Sequence, residues 1–516
     1  MIPALPSFEV ARETAVDGPE ISEIMRTYKN FVGGKFVLSE STKKIPNENP
    51  SDTTDVLGEV VLSTREEGRR AIEVAAEAYP EWRATPAPVR GRMVSRAGQI
   101  LRDDKDSMAE LICREEGKTV AEAGGEILRS INVLEFNGSQ ATRMSGETIP
   151  SELPNNLVYT MRQPLGVVGT ITPWNFPLAI PAWKIAPALV AGNTVVFKPA
   201  SLTVATATRL VEIFAEAGIP PGVLNMVIGS GSEVGDEIVM NPAVRAVSFT
   251  GSNPVGVKLY EQGSRRGLRV QCEMGGKNPI VVLEDADLDL AVACAASGAF
   301  GSSGQRCTAT SRAVVVEEIA DAFVEKLVEK TKSLRVGRGD DAATGVGPLV
   351  DKHQYDSVLS YIRMGREEGA ELAYGGGKAS GPGLENGFFV EPTIFDKTTP
   401  NMRIIQEEIF GPVLSIQRVR NFDEAIEVAN SVPFGLASAI FTNDTSKSLR
   451  FVDAIETGIT HVNSSTTGGE AQVPFGGIKA TGIGDREQGS TTLDFYTEVK
   501  VVYVDYTGTK RTGHLY

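Results

Sequence analysis

Three residues in this sequence have the type and the setting for bond-making chemistry. Cys307 lies in Gly301-Ser302-Ser303-Gly304-Gln305-Arg306-Cys307-Thr308, a small-residue loop directly ahead of a predicted strand. A nucleophilic thiol needs thiolate character and access, and the adjacent Arg306 and exposed backbone amides favour both. The plain alternative is a buried structural thiol. That reading suits Cys113 on a helical apolar face, Cys272 within a strand and Cys294 on an alanine-rich helix. Glu273 ends a predicted strand and runs into Met274-Gly275-Gly276-Lys277. A carboxylate there can reach a cleft and take a proton from water, or it is a surface or ion-paired glutamate. Asn175, in Trp174-Asn175-Phe176-Pro177, follows the predicted strand Gly166–Thr172. Its amide can donate to a developing oxyanion, or it shapes a turn.

A second set suits ribose and phosphate. Lys198-Pro199-Ala200-Ser201 follows the predicted strand Thr194–Phe197, and a lysine at the mouth of a parallel sheet fits a ribose or phosphate. Phe249-Thr250-Gly251-Ser252 ends the predicted strand Ala246–Phe249 ahead of a helix. Amides and a hydroxyl at a helix start suit a pyrophosphate. In Gly229-Ser230-Gly231-Ser232-Glu233-Val234-Gly235 the third glycine falls one position late for GxGxxG, so a plain loop is the better reading of that segment alone.

The elements that must position these groups alternate. Thr64–Ala84 opens with a capping box, and Pro88–Gly117 and Thr119–Ala141 continue the helical region. Gly146–Met161 reads as a hairpin. From Leu165 on, short β-branched strands alternate with helices: Val204–Ala217, Leu224–Ile228, Ser232–Met240, Pro254–Gly263 and Arg269–Glu273. That rhythm predicts a parallel, doubly wound sheet. A second series follows, with strands Ile280–Val282 and Arg312–Val316 and helices Ile319–Leu334, Gln354–Gly369, Phe422–Ser431 and Ser446–Ile455. The terminal run Val499–Tyr506 has strand character and should pair with the hairpin or with another subunit.

Composition excludes more than it names. The 516 residues carry a net charge of −15, which argues against a nucleic-acid partner. Four cysteines without a CxxC pair argue against zinc ribbons and disulfide frameworks. Three histidines (His353, His461, His514) leave a histidine-rich metal centre without ligands. No metal is expected, and a general base should be a carboxylate or lysine. No leader segment is visible, and the apolar stretch Leu165–Ala200 is broken by prolines, so it reads as buried strands and turns. No membrane contact and a cytoplasmic location are expected.

Taken in order, seven segments closely resemble the aldehyde dehydrogenase superfamily from about Tyr28 to Tyr506. They are Trp174–Pro177, Phe197–Ala200, Phe249–Ser252, Glu273–Pro279, Gly304–Cys307, Glu408-Ile409-Phe410-Gly411-Pro412 and Pro474-Phe475-Gly476-Gly477. The resemblance implies an α/β fold with a Rossmann-like cofactor domain (29–143 and 163–273), a second α/β catalytic domain (274–480) and a small β oligomerisation domain (144–162 and 491–508), after an N-terminal arm (1–28). A homodimer or homotetramer is implied. Cys307 would attack the aldehyde carbon, with the Asn175 side chain and the Cys307 N–H holding the oxyanion. Hydride would pass to NAD or NADP, and Glu273 would activate water to hydrolyse the thioester.

The same resemblance places Lys198 and Glu408 on ribose hydroxyls, Ser252 at the pyrophosphate and Phe410 near the nicotinamide, with Thr172, Trp174 and Gly231 also at the cofactor. NAD-preferring relatives often carry a glutamate where this chain has Ser201; serine removes a charge that would repel a 2′-phosphate, so NADP should be accepted. The segments Gln271–Pro279, Gly304–Arg312 and Asn463–Pro474 most resemble 2-oxoglutarate semialdehyde (2,5-dioxovalerate) dehydrogenases. Trp183 stands where bacterial succinate semialdehyde dehydrogenases usually place arginine. Ser464 and Ser465, in a loop expected to line the substrate tunnel, offer hydroxyls to a carboxylate or keto group. Arg129 is a carboxylate partner at the entrance or a solvated helix arginine. In Gly482-Ile483-Gly484-Asp485-Arg486-Glu487 an aspartate interrupts the family pattern, at an expected distance from the chemistry. A broad-specificity, succinate-semialdehyde or glyceraldehyde dehydrogenase is the alternative. A cysteine thioesterase or acyl-transferase would lack the Lys198 and Ser252 segments.

Overall fold

A computed structural model describes residues 26–508. The expected arm, 1–28, lies outside the described residues up to residue 25, as does His514. Its last two residues are not an arm: Thr27–Tyr28 form a strand parallel to Asp52–Val61.

The first helix, Arg65–Ala84, starts where its capping box predicts. Thr64 Oγ1 accepts from the Glu67 N–H, and the Glu67 carboxylate accepts from the Thr64 N–H. Thr119 and Glu122 build a second such box ahead of Val120–Gln140. The predicted run Pro88–Gly117 is two helices, Ala87–Asp103 and Lys105–Glu116. Asp104 leaves helical geometry between them, and Gly117, at φ 95°, closes the second.

Two parallel sheets carry the molecule. In the eight-stranded one, five parallel strands run Arg269–Glu273, Val244–Thr250, Val167–Ile171, Thr194–Lys198, Leu224–Met226. Strand order reverses beside Val167–Ile171, which opens a crevice at the carboxyl ends. In the seven-stranded sheet, Asn278–Val282 lies between Thr310–Val316 and Ala437–Phe441. The strands Thr393–Asp396, Val413–Val419, Ala437–Phe441 and Ile459–Val462 in that sheet were not foreseen.

Leu165–Ala200 is not only strands and turns. It holds the helix Ala179–Ala191, every residue of which is buried. Pro181 falls in the first turn, where no intrahelical donor is required. Pro187 sits in the interior and survives because the surrounding apolar cluster buries the helix on all sides. The terminal strand Thr497–Asp505 pairs antiparallel with Asn156–Pro164 of the same chain, the hairpin pairing expected, and stands at the edge of that sheet. The short helix Thr492–Tyr496 before it buries Leu493, Phe495 and Tyr496 in the first sheet's core. Among the described residues, no helix is long and apolar enough to cross a membrane.

Candidate active site

The carboxyl ends of the eight-stranded sheet meet the amino ends of the seven-stranded one, where Asn278 opens its strand and the loop carrying Cys307 leads into Thr310–Val316. That loop follows the helix Leu288–Phe300 and is strained: Ser302 and Ser303 both hold left-handed geometry, at φ 48° and 54°. Each such residue costs about 1–3 kcal/mol unless its surroundings impose it. Here they do. The Ser302 N–H donates to Glu122 at 2.5 Å, Ser303 Oγ to the Gly347 carbonyl at 2.8 Å, and the Val350 N–H to Gln305 Oε1 at 3.0 Å. Asn278 Nδ2 fixes the Cys307 carbonyl at 2.8 Å.

Cys307 is half-buried as a residue. Desolvation, then the charges of Glu408 and Glu273, push its thiol up to about 12, against the Thr308 and Cys307 N–H groups, which lower it. The expected help from Arg306 is absent. Its guanidinium turns away to Ser302 Oγ at 3.0 Å and to Glu122 at 3.5 Å, because those acceptors satisfy it better than a thiol could. Asn175 is buried, and its Nδ2 donates to the Gln305 carbonyl at 2.9 Å, which ties it to the cysteine loop. An amide NH₂ has two donors, so one remains for an oxyanion.

Glu273 is neither a surface nor an ion-paired glutamate. It is 3% exposed and accepts from the Gly477 N–H at 3.1 Å. A Cβ on Gly476 would fall 2.2 Å from Glu273 Oε1, so the carboxylate rests against bare backbone. Burial, then the charge of Glu487, raise its pKa well above the ordinary value, opposed by the Gly477 N–H, Lys184 and Arg486.

Lys184 and Glu487 were not expected in this role. The Glu487 carboxylate pairs with Lys184 and accepts from Trp183 Nε1 at 2.8 Å; Lys184 Nζ also donates to Ser248 Oγ at 2.8 Å. The segment Gly482–Glu487 is therefore not remote from the chemistry: Gly482 pairs with Glu273 itself. A hint was present, since Lys184 is one of two charges in the apolar stretch Leu165–Ala200, and a buried charge requires a partner.

The crevice of the eight-stranded sheet collects the cofactor candidates. Thr172 is buried beside Lys198, its N–H donating to the Lys198 carbonyl at 3.2 Å. Lys198 is buried, donates to the Pro199 carbonyl at 2.9 Å and is pushed down to about 8 by desolvation. The buried Thr250 hydroxyl has no hydrogen-bond partner among the described residues. Ser252 is the N-cap residue of Asn253–Ser264, yet its side chain caps no amide. A Cβ on Gly231 would meet nothing within 4 Å. Ser201 lies half-buried in the turn after Lys198. Unsatisfied donors and a helix start around an open space suit phosphates and ribose hydroxyls. The residues present therefore fit a dinucleotide.

Between crevice and thiol lie Glu408 and Phe410. Glu408 accepts from the Gly276 N–H at 2.9 Å and is pushed up to about 7 by desolvation. A Cβ on Gly275 would fall 2.0 Å from its Oε2, which explains the glycine. Phe410, at φ 56°, meets Trp174 edge to face at 5.4 Å.

On the substrate side the candidates separate. Trp183 is buried with its indole N–H committed to Glu487. Arg129 is not a solvated helix arginine. It lies half-buried 5.4 Å over the Trp183 ring and bonds the Gly469 carbonyl and Gln488, and desolvation lowers its pKa. Ser464 is exposed, and Ser465 Oγ is shared with Thr467 at 3.1 Å. Thr466 of the same loop is turned to the cysteine loop instead, donating to the Thr308 carbonyl at 2.8 Å.

The chain matches the aldehyde dehydrogenase family over residues 36–502. It is 45% identical over 478 residues to the alpha-ketoglutaric semialdehyde dehydrogenase of Bacillus subtilis, covering 93% of this chain and 98% of that one. It is 46% identical to the alpha-ketoglutarate semialdehyde dehydrogenase of Haloferax volcanii, covering 93% and 99%. Among solved structures, betaine aldehyde dehydrogenase from Staphylococcus aureus in complex with NAD+ superposes with a TM-score of 0.91 at 34% identity, covering 93% and 95%.

Proposed function

The chain belongs to the aldehyde dehydrogenase family, and from that premise we propose how its residues carry out NAD(P)-dependent oxidation of a semialdehyde. The observation that carries the reading is the meeting of a half-buried cysteine, a buried carboxyl group and an amide tied to the cysteine's own loop. The Cys307 thiol gives its proton to water and the thiolate Sγ attacks the aldehyde carbon; the C–S bond forms and the carbonyl electrons move to oxygen. The free Asn175 N–H and the Cys307 amide hold that oxyanion. Its collapse expels hydride and leaves a thioester on Cys307. When bound, the nicotinamide supplies the acceptor for that hydride. Glu273 then takes a proton from water, whose oxygen attacks the thioester and releases acid and thiolate.

Lys198 and Glu408 hold the ribose hydroxyls, Ser252 and Gly231 border the pyrophosphate, and Thr172, Trp174 and Phe410 wall the nicotinamide end. Ser201 admits a 2′-phosphate, so NADP as well as NAD is used. Residues 29–143 with 163–273 form the cofactor unit, and 274–480 the catalytic unit. The sheet built from 144–162 and 491–508 shows Val499, Val501 and Tyr503 at 59%, 50% and 70% exposure, an apolar row suited to a homodimer or homotetramer contact.

The substrate is 2-oxoglutarate semialdehyde, with Arg129 at its carboxylate end, supported by the half-buried guanidinium over Trp183 and by the alpha-ketoglutarate semialdehyde dehydrogenases among the relatives. A kinetic panel of 2-oxoglutarate semialdehyde, succinate semialdehyde, glyceraldehyde and betaine aldehyde tests this. The first should give the highest kcat/KM, and Arg129→Met should lower it for the two carboxylated substrates only. Preference for the cationic aldehyde would overturn the assignment.

A further inference from the structure

We propose that the buried ion pair Lys118–Glu126 is a positioning device for the oxyanion donor, Asn175; this rests on the reading of Asn175 and Cys307 given above. Lys118 and Glu126 are each 3% exposed and 2.7 Å apart. Lys118 Nζ also donates to the Asn175 carbonyl at 2.8 Å and lies 4.3 Å over the Phe176 ring. A second buried carboxylate, Glu116, lies 3.8 Å from the same ammonium, which is thus spent on two carboxylates, on Asn175 and on an aromatic face. The other Glu126 oxygen accepts from the Leu178 and Ala179 N–H groups, at 2.8 and 3.0 Å. Those amides open the helix Ala179–Ala191, whose own N-cap residue, Leu178, offers no side-chain acceptor. One ion pair therefore pins the backbone at Asn175, Leu178 and Ala179.

The geometry has a reason to be fixed there. Asn175 leaves the eight-stranded sheet, whereas Cys307 precedes a strand of the seven-stranded sheet, so their spacing is set between two units. The corner joining Lys105–Glu116 to Val120–Gln140 touches both sides. Its Lys118 and Glu126 hold the Asn175 segment, and its Glu122 holds Ser302 in the cysteine loop. A misplacement of about 1 Å at a reacting centre costs on the order of a hundredfold. A charged pair resists that displacement better than van der Waals contact, because each oxygen and ammonium hydrogen is directional.

The full chain tests this with Lys118→Met, Glu126→Gln, the double variant, and the double variant with Glu116→Gln added, which leaves neither buried carboxylate without its cation and so protects folding. Three readings are taken: the first-turnover rate of reduced cofactor formation, cofactor Kd, and the rate of Cys307 alkylation by iodoacetamide, which forms no oxyanion. The expected result, in the double variant above all, is a loss of hydride transfer of about tenfold to a hundredfold with cofactor Kd and alkylation within about threefold. Asn175→Ala alone should lose at least as much, and adding Lys118→Met to it should lose little more. Full hydride-transfer rate in a folded double variant, or losses that multiply with those of Asn175→Ala, overturns the positioning role while leaving the oxyanion reading intact. A harmless Asn175→Ala overturns both.

Discussion

Ser248 and Thr250 stand two residues apart on one strand and face the same side, yet their hydroxyls have opposite fates. Ser248 Oγ is bonded to Lys184, Gln271 and Glu487 in a closed polar cluster beside Glu273. Thr250 Oγ1 is buried without a partner, at the edge of the crevice that holds Lys198 and Ser252. The cluster is internally satisfied, so it can hold charge in place next to a base. The crevice is unsatisfied, so it needs a ligand rich in acceptors. Buried polar groups that lack a protein partner are costly, and a cofactor's hydroxyls and phosphates remove that cost.

Changes in the closed cluster should alter proton chemistry and leave cofactor choice alone; changes in the crevice should do the reverse. The largest effect belongs to Glu273→Gln. Steady-state turnover should fall by about 10²–10⁴, while one equivalent of reduced cofactor per subunit still forms and cofactor Kd holds. Stopped-flow absorbance measures both, and sustained turnover would refute the base assignment. Next is Ser201→Glu, which should lower kcat/KM for NADP by on the order of tenfold. NAD should be unaffected, and the pH profile unmoved; an equal loss with both cofactors would count against the 2′-phosphate reading.

The smallest expected effect is a shift in a pH profile. Turnover requires ionised Glu273, whose pKa is raised, so kcat should climb with pH above the ordinary carboxylate range. Glu487 contributes to that rise because a second negative charge disfavours the ionised form. Glu487→Gln removes it, so the acid limb of kcat should move to lower pH by about one unit. A limb that stays or moves upward would break the coupling and with it the contrast between the two regions.

The strand–helix rhythm of Arg269–Glu273 or Val204–Glu216 was legible because period and punctuation are local. Cys307, Glu273 and Asn175 stood out as candidates for the same local reason, at strand ends or in small-residue loops where a side chain has room. The helix Ala179–Ala191 was not legible, because its prolines argue against helix and only complete burial overrules them. Arg306 misled for a related reason: adjacency in sequence does not say which way a guanidinium turns.

By itself the sequence determined the family and put forward a nucleophile and a base for it, because an ordered set of local motifs suffices for that. Only the tertiary structure decided what surrounds them. Glu487 reaches Glu273 from 214 residues away in a chain segment that pairs with it, and Lys118 reaches Asn175 from another helix pair. Electrostatic coupling and hydrogen bonding depend on distance in space. Folding sets that distance through long-range pairing of strands and packing of helices, which no local pattern contains.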